Sequence, residues 1–338
     1  MTTIASPFTF ALDAALEADR PPEAGGGRRD DVRLLVTDTR TGESRDERFD
    51  RLPSLLRPGD LLVVNDSATL PAAVWLDRLV LHFSTPHRDG RWLVELRRRV
   101  GDSHVRYDGG RANEWLPLPG GATLKLVERH SARLWVAELD VSVSIYLNEY
   151  GRPIRYSYVN TDRPLADYQT IFAAEPGSAE MPSAGRPFTK DTLNGLRRNG
   201  IDVAAITLHT GVASPEADEP PYPERFTVDR RAARAVNAVR ADGGRVIAVG
   251  TTVVRAVESA TDSDGVVSPR SGVTEHLITP DTGVRAVDGI LTGLHEPRST
   301  HLSMLSAICP VPALAEAYRR AVAGRYLWHE FGDVHLIY

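Results

Sequence analysis

Hydrophobic positions change their spacing along the chain, and these changes predict its organisation. Up to residue 66, the apolar runs VRLLVTD and LLVVND predict two strands separated by turns. From residue 67 to 156, short β-like runs follow one another with Gly, Asp and Pro between them. These runs are AVWLDRLVLHFS, RWLVELRRRV, ATLKLVER, RLWVAELD and VSIYLNEY. Their spacing predicts a small all-β barrel or sandwich without a helix.

The later part of the chain alternates strand and helix patterns, which is typical of an α/β fold. The first predicted helix, TKDTLNGLRRNG, has Thr189 as a candidate N-cap and Gly200 as its stop. IDVAAITLHTG, RVIAVG and DGILTGLH predict strands. DRRAARAVNAVRADGG, TTVVRAVESA and STHLSMLSAIC predict helices, before a last helix and strand up to HLIY.

Composition indicates an ordinary globular protein. The 338 residues are 42% hydrophobic and 25% charged, without an apolar run long enough to cross a membrane or a secretory signal. A single cysteine, Cys309, favours a reducing cytoplasm. The net charge of −5 gives no overall attraction to nucleic acid, although a local basic patch stays open. For the basic side chains of RWLVELRRRV, a solvated strand face is favoured; they are Arg91, Arg97, Arg98 and Arg99.

Three segments share one layout, in which a hydrophobic strand is followed by a polar turn and then a helix or loop. They are ITLHTGV, VIAVGTTVVRAVES and ILTGLHEPRSTHL. If these strands are parallel and adjacent, their carboxyl ends meet at one edge of the sheet, where ligands bind in α/β proteins. The side chains expected at that edge are His209, Thr251, Thr252, Arg255, His295, Glu296, Arg298 and Ser299.

The polar turns contain groups suited to an anionic ligand and to proton transfer. Thr251 or Thr252 is the expected N-cap of the following helix, whose free N–H groups favour an anion. Arg255 and Glu258 share a helical face, so a simple surface ion pair is the alternative to a role in the site. In HEPRST, Ser299 or Thr300 is a natural N-cap, Arg298 is suited to clamping a carboxylate and His295 to acid–base chemistry.

Motifs for other chemistries are missing from the sequence. There is no GxGxxG after a strand, P-loop, GxSxG, HExxH or paired-cysteine signature. The histidines also lack metal-ligand spacing, so the sequence favours a reaction without a metal ion.

With these segments in hand, the chain resembles the S-adenosylmethionine:tRNA ribosyltransferase-isomerase family of the queuosine pathway. The resemblance covers nearly the whole chain in family order. The segments that carry it are VRLLVTD, PGDLLVVND followed by LP, DYQTIFA, GSAEMPSAGRPFT, ITLHTGV, GGRVIAVGTTVVRAVESA, DGILTGLHEPRST and FGDVHLIY.

The resemblance implies a discontinuous main α/β domain, residues 1–66 and 157–338, interrupted by an inserted small all-β (barrel-like) domain at 67–156. It implies S-adenosylmethionine as ribosyl donor and the 7-aminomethyl-7-deazaguanine of tRNA as acceptor, with adenine and methionine released and no metal required. Catalytic roles fall on His295, His209 and Glu258. Donor or substrate binding falls on Thr251, Thr252, Arg255, Arg298, Ser299, Ser183, Gly185, Tyr168, Gln169, Asn65 and Asp66.

This chain also departs from the family pattern. Arg186 and Pro187 replace Leu-His, Glu296 replaces an apolar residue, and residues 210–228 are shorter and lack the family's histidines. NDSATLPAA lacks two family arginines, and RPIRYSYV replaces a proline-rich approach. Because the donor-side residues are kept, two alternatives stay open: ribosyl transfer to a non-tRNA or small-molecule amine, and a donor-binding or regulatory protein with weak catalysis.

Overall fold

The computed structural model describes residues 6–212 and 222–338. Within these ranges the strands are β1 (Arg33–Thr37), β2 (Ser44–Arg48), β3 (Leu61–Asn65), β4 (Ser67–Thr69), β5 (Ala73–Trp75), β6 (Leu79–Pro86), β7 (Trp92–Val100), β8 (Ser103–Arg106), β9 (Trp115–Pro117), β10 (Thr123–Arg129), β11 (Leu134–Leu139), β12 (Glu175–Ser178), β13 (Asp202–Leu208), β14 (Glu224–Val228), β15 (Val246–Val249), β16 (Arg270–Thr274), β17 (Gly289–Gly293) and β18 (Val334–Ile337). The α-helices of the same ranges are α1 (Leu52–Leu55), α2 (Val143–Tyr150), α3 (Lys190–Arg198), α4 (Arg230–Ala241), α5 (Thr251–Ser259), α6 (Thr300–Ser306) and α7 (Val311–Ala323).

A nine-stranded mixed sheet forms the main α/β part, in the order β16-β14-β13-β3-β15-β17-β18-β1-β2. Its middle strands β13, β3, β15 and β17 run parallel to one another. The three strands expected to share an edge are therefore parallel, as predicted. They are not all adjacent, because β3 lies between β13 and β15. The turn after β3 therefore reaches the same edge of the sheet as the turns after β13, β15 and β17.

Alternate residues of the central strands pack into opposite layers. In β3, Leu61 and Val63 belong to the core that includes α4, α5, α6 and α7, whereas Leu62 and Val64 belong to the core that includes α1 and α3. Successive side chains of a strand point to opposite faces, so an unbroken apolar run is buried only where both faces are covered. All four side chains are at most 1% exposed, which explains the sequence LLVV.

A second, antiparallel sheet of seven strands lies in sequence between β4 and β12. Its order is β5-β6-β7-β11-β10-β9, with β8 paired to β7. It has its own hydrophobic core, which includes Phe83, Leu124 and Val136 and is distinct from the cores of the main sheet. The chain leaves the main sheet after β3 and re-enters it at β13, the parallel neighbour of β3. An α/β fold with an inserted antiparallel β domain is thereby confirmed.

The prediction that residues 67–156 contain no helix is wrong. VSIYLNEY, expected to be a strand, forms helix α2. Its buried residues Val143, Tyr146 and Leu147 have the three- and four-residue spacing of one helical face. That spacing outweighs the β-propensity of the individual side chains, and the helix packs its apolar face on the core of the antiparallel sheet.

The basic strand β7 is only partly solvated, which corrects the interpretation of RWLVELRRRV. Arg98 and Arg99 are exposed, but Arg97 is buried and donates to Glu95 over 2.9 Å. Glu95 also accepts a 3.1 Å hydrogen bond from Arg133, and its carboxylate lies 3.4 Å from His82. Burial alone would raise the pKa of Glu95, but the hydrogen bond with His82 and the two arginines lower it to about 2.

Among the helices of the described ranges, we find none with the length and apolar character needed to cross a membrane.

We expect Glu95→Gln to destabilise the protein by about 3–5 kcal/mol, because it removes the buried carboxylate that accepts from Arg97 and Arg133. The matched control is Glu138→Gln on the adjacent strand β11, where the carboxylate is 60% exposed and lies 3.9 Å from Arg91. There we expect a loss below about 1 kcal/mol. Urea denaturation measures both, and equal losses would contradict the buried network.

The same carboxylate has a predictable effect on acid stability. The folded-state pKa of Glu95, about 2, is below its ordinary value of 4.5. Its stabilisation is therefore complete above about pH 4.5 and is lost as the pH falls toward 2. Glu95→Gln should lack this part of the acid dependence.

Candidate active site

Four segments that follow the parallel strands meet around a cavity of about 470 Å³. The turns after β13, β15 and β17 contribute residues 210–212, 250–252, 294–297 and 299–301, and Thr69 comes from the segment after β3. Further parts of the wall come from residues that follow the antiparallel sheet, from 179–184, from 276–278 and from 329–330. The cavity therefore lies at the edge predicted from the sequence, where loops and helix N-termini converge.

The predicted site residues fall into two groups. Those that line the cavity are Tyr168, Ser183, Thr251, Thr252, Arg255, His295 and Ser299. Those that are not part of its lining are Asn65, Asp66, Gln169, Gly185, His209, Glu258 and Arg298.

Asn65 connects the segments behind the cavity. Its Oδ1 accepts from the N–H groups of Leu208 (3.0 Å) and Ser67 (3.1 Å). Its Nδ2 donates to the carbonyl of Leu208 (2.8 Å) and to Oγ1 of Thr252 (3.3 Å). The amide is therefore fully used within the protein, and Asn65 fixes the ends of β13 and α5 relative to β3.

His209 lies behind the cavity wall in a hydroxyl network. Its Nδ1 is 2.8 Å from Oγ of Ser67, which is 2.6 Å from Oγ of Ser178. A Cβ added at Gly177 would lie 2.5 Å from the His209 ring, so this close approach requires glycine. Burial, with a smaller contribution from Arg225, lowers the pKa of His209. These contacts give His209 a positioning role instead of contact with a ligand in the cavity.

The start of helix α5 corrects the N-cap prediction. The N-cap is Gly250, with φ 97°, and neither Thr251 nor Thr252 provides a side-chain cap. Both threonines are the first residues of the helix and line the cavity. Their N–H groups have no acceptor within the helix. The start of α5 therefore still favours an anion, as expected from the sequence, although its N-cap is a glycine.

Arg255 is buried and is paired with Glu224, not with Glu258. Its guanidinium donates to the Glu224 carboxylate and, each over 3.3 Å, to the carbonyls of Tyr222, Thr274 and His276. Burial raises the pKa of Glu224, against the opposing charge of Arg255. The alternative interpretation of Arg255 and Glu258 as a surface ion pair is therefore wrong, and Arg255 stabilises the cavity wall.

Glu258 holds a loop from inside the protein. It is 3% exposed, and its carboxylate accepts N–H hydrogen bonds from Arg285 (2.9 Å), Ala286 (2.9 Å) and Val287 (3.2 Å). The expected catalytic role of Glu258 does not fit this geometry, because its oxygens are directed at backbone donors outside the cavity lining. It is a positioning residue for residues 285–287.

His295 lines the cavity with one ring nitrogen fixed. Its Nε2 is 2.9 Å from Oγ1 of Thr292, its backbone N–H donates to Tyr318, and its ring stacks on His301 with centroids 4.6 Å apart. Burial, together with neighbouring histidines, lowers the pKa of His295 well below its usual range. The ring is therefore neutral near pH 7 and, within the described residues, its Nδ1 has no hydrogen-bond partner.

Ser299 and Arg298 occupy the start of helix α6. Ser299 is the N-cap, as predicted, and its Oγ accepts from the N–H of His301 over 3.2 Å. Arg298 is exposed and has a left-handed backbone with φ 67°. It lies next to the cavity-lining residues Pro297 and Ser299.

The other predicted residues support one wall. Gln169 makes two hydrogen bonds with the backbone of Thr69, of 3.0 and 2.8 Å. Asp66 accepts from Thr207 over 2.7 Å, and burial raises its pKa. Gly185 packs against Thr170 and Phe172, whereas Ser183 and Tyr168 line the cavity.

Several cavity-lining residues were not predicted from the sequence: Glu17, Tyr156, Tyr158, Glu180, His329 and Glu330. RPIRYSYV contains the two tyrosines, and its departure from the family pattern was the available signal. The others come from both ends of the chain and from a turn, so no local spacing connects them. Among the described residues, no group of three His, Cys, Asp or Glu side chains is arranged to hold a metal ion. Whether the reaction uses one stays a prediction.

The fold and the cavity define a class: an α/β protein with an antiparallel β insertion and a cavity with polar lining residues at the carboxyl edge of parallel strands. A family model described as "Queuosine biosynthesis protein" matches residues 5–337. A relative from Gluconacetobacter diazotrophicus, named S-adenosylmethionine:tRNA ribosyltransferase-isomerase, is 35% identical, with 100% of this chain and 97% of the relative covered. A relative of the same name from Symbiobacterium thermophilum is also 35% identical, with 98% and 99% covered.

A solved structure agrees with these relatives. The crystal structure of an S-adenosylmethionine tRNA ribosyltransferase from Thermotoga maritima matches with a TM-score of 0.56 and 25% identity, covering 98% of this chain and 100% of that one. The chain therefore belongs to the S-adenosylmethionine:tRNA ribosyltransferase-isomerase family of queuosine biosynthesis. The predicted family and enzyme class are confirmed.

We expect Glu258→Gln to destabilise the protein by about 1.5–3 kcal/mol, because a neutral amide replaces an ionised acceptor of buried N–H groups. Amide hydrogen exchange at residues 285–287 should become faster. Glu275→Gln, at an exposed position, is the control. It should change neither the stability of the protein nor the exchange rate at residues 285–287. Unchanged exchange at 285–287 in Glu258→Gln would contradict the positioning role.

Proposed function

We propose that this chain transfers the ribosyl moiety of S-adenosylmethionine to the aminomethyl group of 7-aminomethyl-7-deazaguanine in tRNA and isomerises it, forming epoxyqueuosine. Adenine and methionine are released. The observation that carries the proposal is the 470 Å³ cavity at the carboxyl edge of the parallel strands, a volume typical of sites for small organic ligands. The full-length relatives support it, because they are named S-adenosylmethionine:tRNA ribosyltransferase-isomerase.

The donor's carboxylate fits the start of helix α5. The N–H groups of Thr251 and Thr252 have no intrahelical acceptor and belong to cavity-lining residues, so they offer an anion hydrogen bonds and the positive end of the helix dipole. Arg255 is already paired with Glu224, and we assign it to shaping this wall. Arg298 approaches the donor from the rim.

His295 is the group that we assign to proton transfer. The donor's sulfonium makes the adjacent ribose carbon acidic and later leaves as a neutral thioether, so a base is needed beside it. A neutral imidazole held by Thr292, with Nδ1 free of protein partners in the described residues, can accept that proton. The sulfonium provides the activation, so the proposed steps need no metal ion. Asn65, His209 and Glu258 hold the surrounding segments.

We propose that the acceptor approaches along the antiparallel insertion. The proposed boundaries of this domain remain residues 67 and 156. Arg98 and Arg99 are exposed at the end of β7 and are suited to phosphate contacts. Modification of tRNA places the enzyme in the cytoplasm. A small amine is the second candidate acceptor, and the carboxylate of Glu296 in the cavity lining favours it.

The test is incubation with S-adenosylmethionine and tRNA carrying the aminomethyl deazaguanine, with unmodified tRNA and small amines in parallel. The proposal expects adenine and methionine in equal amounts only with the modified tRNA. Release with small amines but not with that tRNA would replace it by the second candidate. Donor binding without release under any condition would overturn both.

We expect His295→Gln to lower kcat by about 10²-fold or more, because a positioned proton acceptor is removed, while donor affinity changes little. Thr292→Val keeps the ring but removes its hydrogen bond, and a smaller loss of kcat is expected. Single-turnover kinetics and donor titration measure both quantities. Unchanged kcat in His295→Gln would exclude His295 as the proton acceptor.

We expect Arg298→Asn to weaken donor binding by about ten-fold, the effect of losing one charged hydrogen bond. Asparagine tolerates the left-handed backbone of this position, so the substitution removes the charge without added strain. Arg325→Asn is a matched control, because Arg325 is also exposed and has φ 54°, but neither of its chain neighbours lines the cavity. Equal donor affinity in both variants would remove Arg298 from the site.

A further inference from the structure

Two glutamates of the cavity wall lie beside one histidine, and a third glutamate of the same wall follows that histidine in the chain. Glu17, Glu296 and Glu330, together called the carboxylate cluster, line the cavity with His329. Oε1 of Glu17 and of Glu296 lie 3.6 and 3.7 Å from Nε2 of His329. Glu330 follows His329 in the chain, and its carboxylate accepts a hydrogen bond from the hydroxyl of Tyr158.

The fold brings these groups together from distant parts of the chain. Residues 16–18 are paired with Trp328 through hydrogen bonds of 2.8 and 3.2 Å, which place Glu17 beside His329. The indole of Trp328 donates to the carbonyl of His295 over 3.1 Å and fixes the turn that contains Glu296. The His329 ring stacks on Tyr158, with centroids 3.9 Å apart and planes 7° from parallel.

The negative charge of the carboxylate cluster is not balanced by the described protein. Within residues 6–212 and 222–338, no lysine or arginine lies within 4.0 Å of its carboxylates. His329 provides no charge near neutral pH, since burial lowers its pKa to about 4. Burial raises the pKa of Glu296, and Glu17 and Glu330 raise it further. Such an arrangement favours a bound cation, which would lower the electrostatic cost of the ionised carboxylates.

Unpaired buried polar atoms in the same wall provide a second, independent observation. The His329 side chain is only 10% exposed, and its Nε2 has no hydrogen-bond partner in the described protein. The hydroxyl of Tyr168, 3% exposed and in the same cavity lining, also has none there. Buried polar groups are rarely left unpaired, so these atoms indicate that a polar ligand completes the wall.

We propose that the carboxylate cluster and His329 form a subsite for a primary ammonium group of a ligand bound in the cavity. An ammonium is a compact cation with three donors, and the subsite offers carboxylate oxygens and an imidazole nitrogen as acceptors. A neutral His329 offers its Nε2, which has no hydrogen-bond partner in the described protein. The proposal rests on the proposed function for the source of the ammonium, which is either the amino end of the donor or the amine acceptor.

The test compares two pairs of ligands by calorimetry on the full chain, and it needs no turnover. S-adenosylhomocysteine and 5′-methylthioadenosine share the adenosine thioether, but only the first has an aliphatic ammonium group, which it carries beside a carboxylate. Free 7-aminomethyl-7-deazaguanine and its 7-methyl analogue differ only in the amine. In Glu296→Gln we expect the amine-bearing member of one pair to lose affinity by about ten-fold or more, with its partner unchanged.

Two further variants make the result specific. His329→Asn suits the left-handed backbone at φ 73°, removes Nε2, and should weaken the same ligand. Glu43→Gln, at an exposed position in the turn between β1 and β2, should change no affinity. A loss in the first pair assigns the subsite to the donor, and a loss in the second assigns it to the acceptor. If Glu296→Gln and His329→Asn each change the affinity for every one of these ligands by less than two-fold, the subsite is overturned.

This outcome is separable from that of the proposed function. Adenine release by the wild-type enzyme together with unchanged affinities in Glu296→Gln would remove the subsite and keep the reaction. A selective loss of affinity for an amine-bearing ligand, in an enzyme that never releases adenine, would keep the subsite and remove the reaction.

Discussion

The geometry of the cavity depends on the side-chain amide of Asn65. Backbone pairing between β13 and β3 ends at Ile206 and Asn65, and the amide continues the connection two residues further along β13, to both backbone polar groups of Leu208. The same amide contacts Thr252 at the start of α5. Because every donor and acceptor of this amide is hydrogen-bonded within the protein, it fixes the relative positions of the loops that follow β3, β13 and β15. Replacing Asn65 would leave buried backbone groups of Leu208 unpaired, a cost that no local rearrangement of one loop removes.

Much of the fold was predictable because its signals are local. The buried run LLVV, the amphipathic pattern of α4 and the cap at Thr189 each depend on residues within one element. The neighbour relations of the strands do not, and the position of β3 between β13 and β15 has no signature in the spacing of either strand. VSIYLNEY shows the other limit: aromatic and β-branched side chains favoured a strand, whereas packing of one face on the antiparallel sheet selected a helix.

The site was predictable in its location and only partly in the roles of its residues. Arg255 and Glu258 have the spacing of a surface pair, but both are buried, and burial requires partners that satisfy every charge. Those partners come from elsewhere in the chain: Glu224 for Arg255, and the backbone of 285–287 for Glu258. Local spacing therefore indicated correctly that helix α5 contributes to the site, but it suggested the wrong ion-pair partner for Arg255. For the same reason it gave no sign of Glu17 and His329, which meet only through the pairing of the N-terminal segment with Trp328.

The cavity combines opposite electrostatic features, and the chemistry limits where each can act. The N–H groups at the start of α5 favour an anion, and the carboxylate cluster favours a cation. The sulfonium loses its positive charge as the thioether leaves, so a carboxylate placed beside it would stabilise the bound donor more than the transition state and slow the reaction. A donor amino group keeps its charge throughout, and an amine acceptor gives up only a proton. Carboxylates in this wall are therefore compatible with turnover when they contact an amine and not the sulfonium.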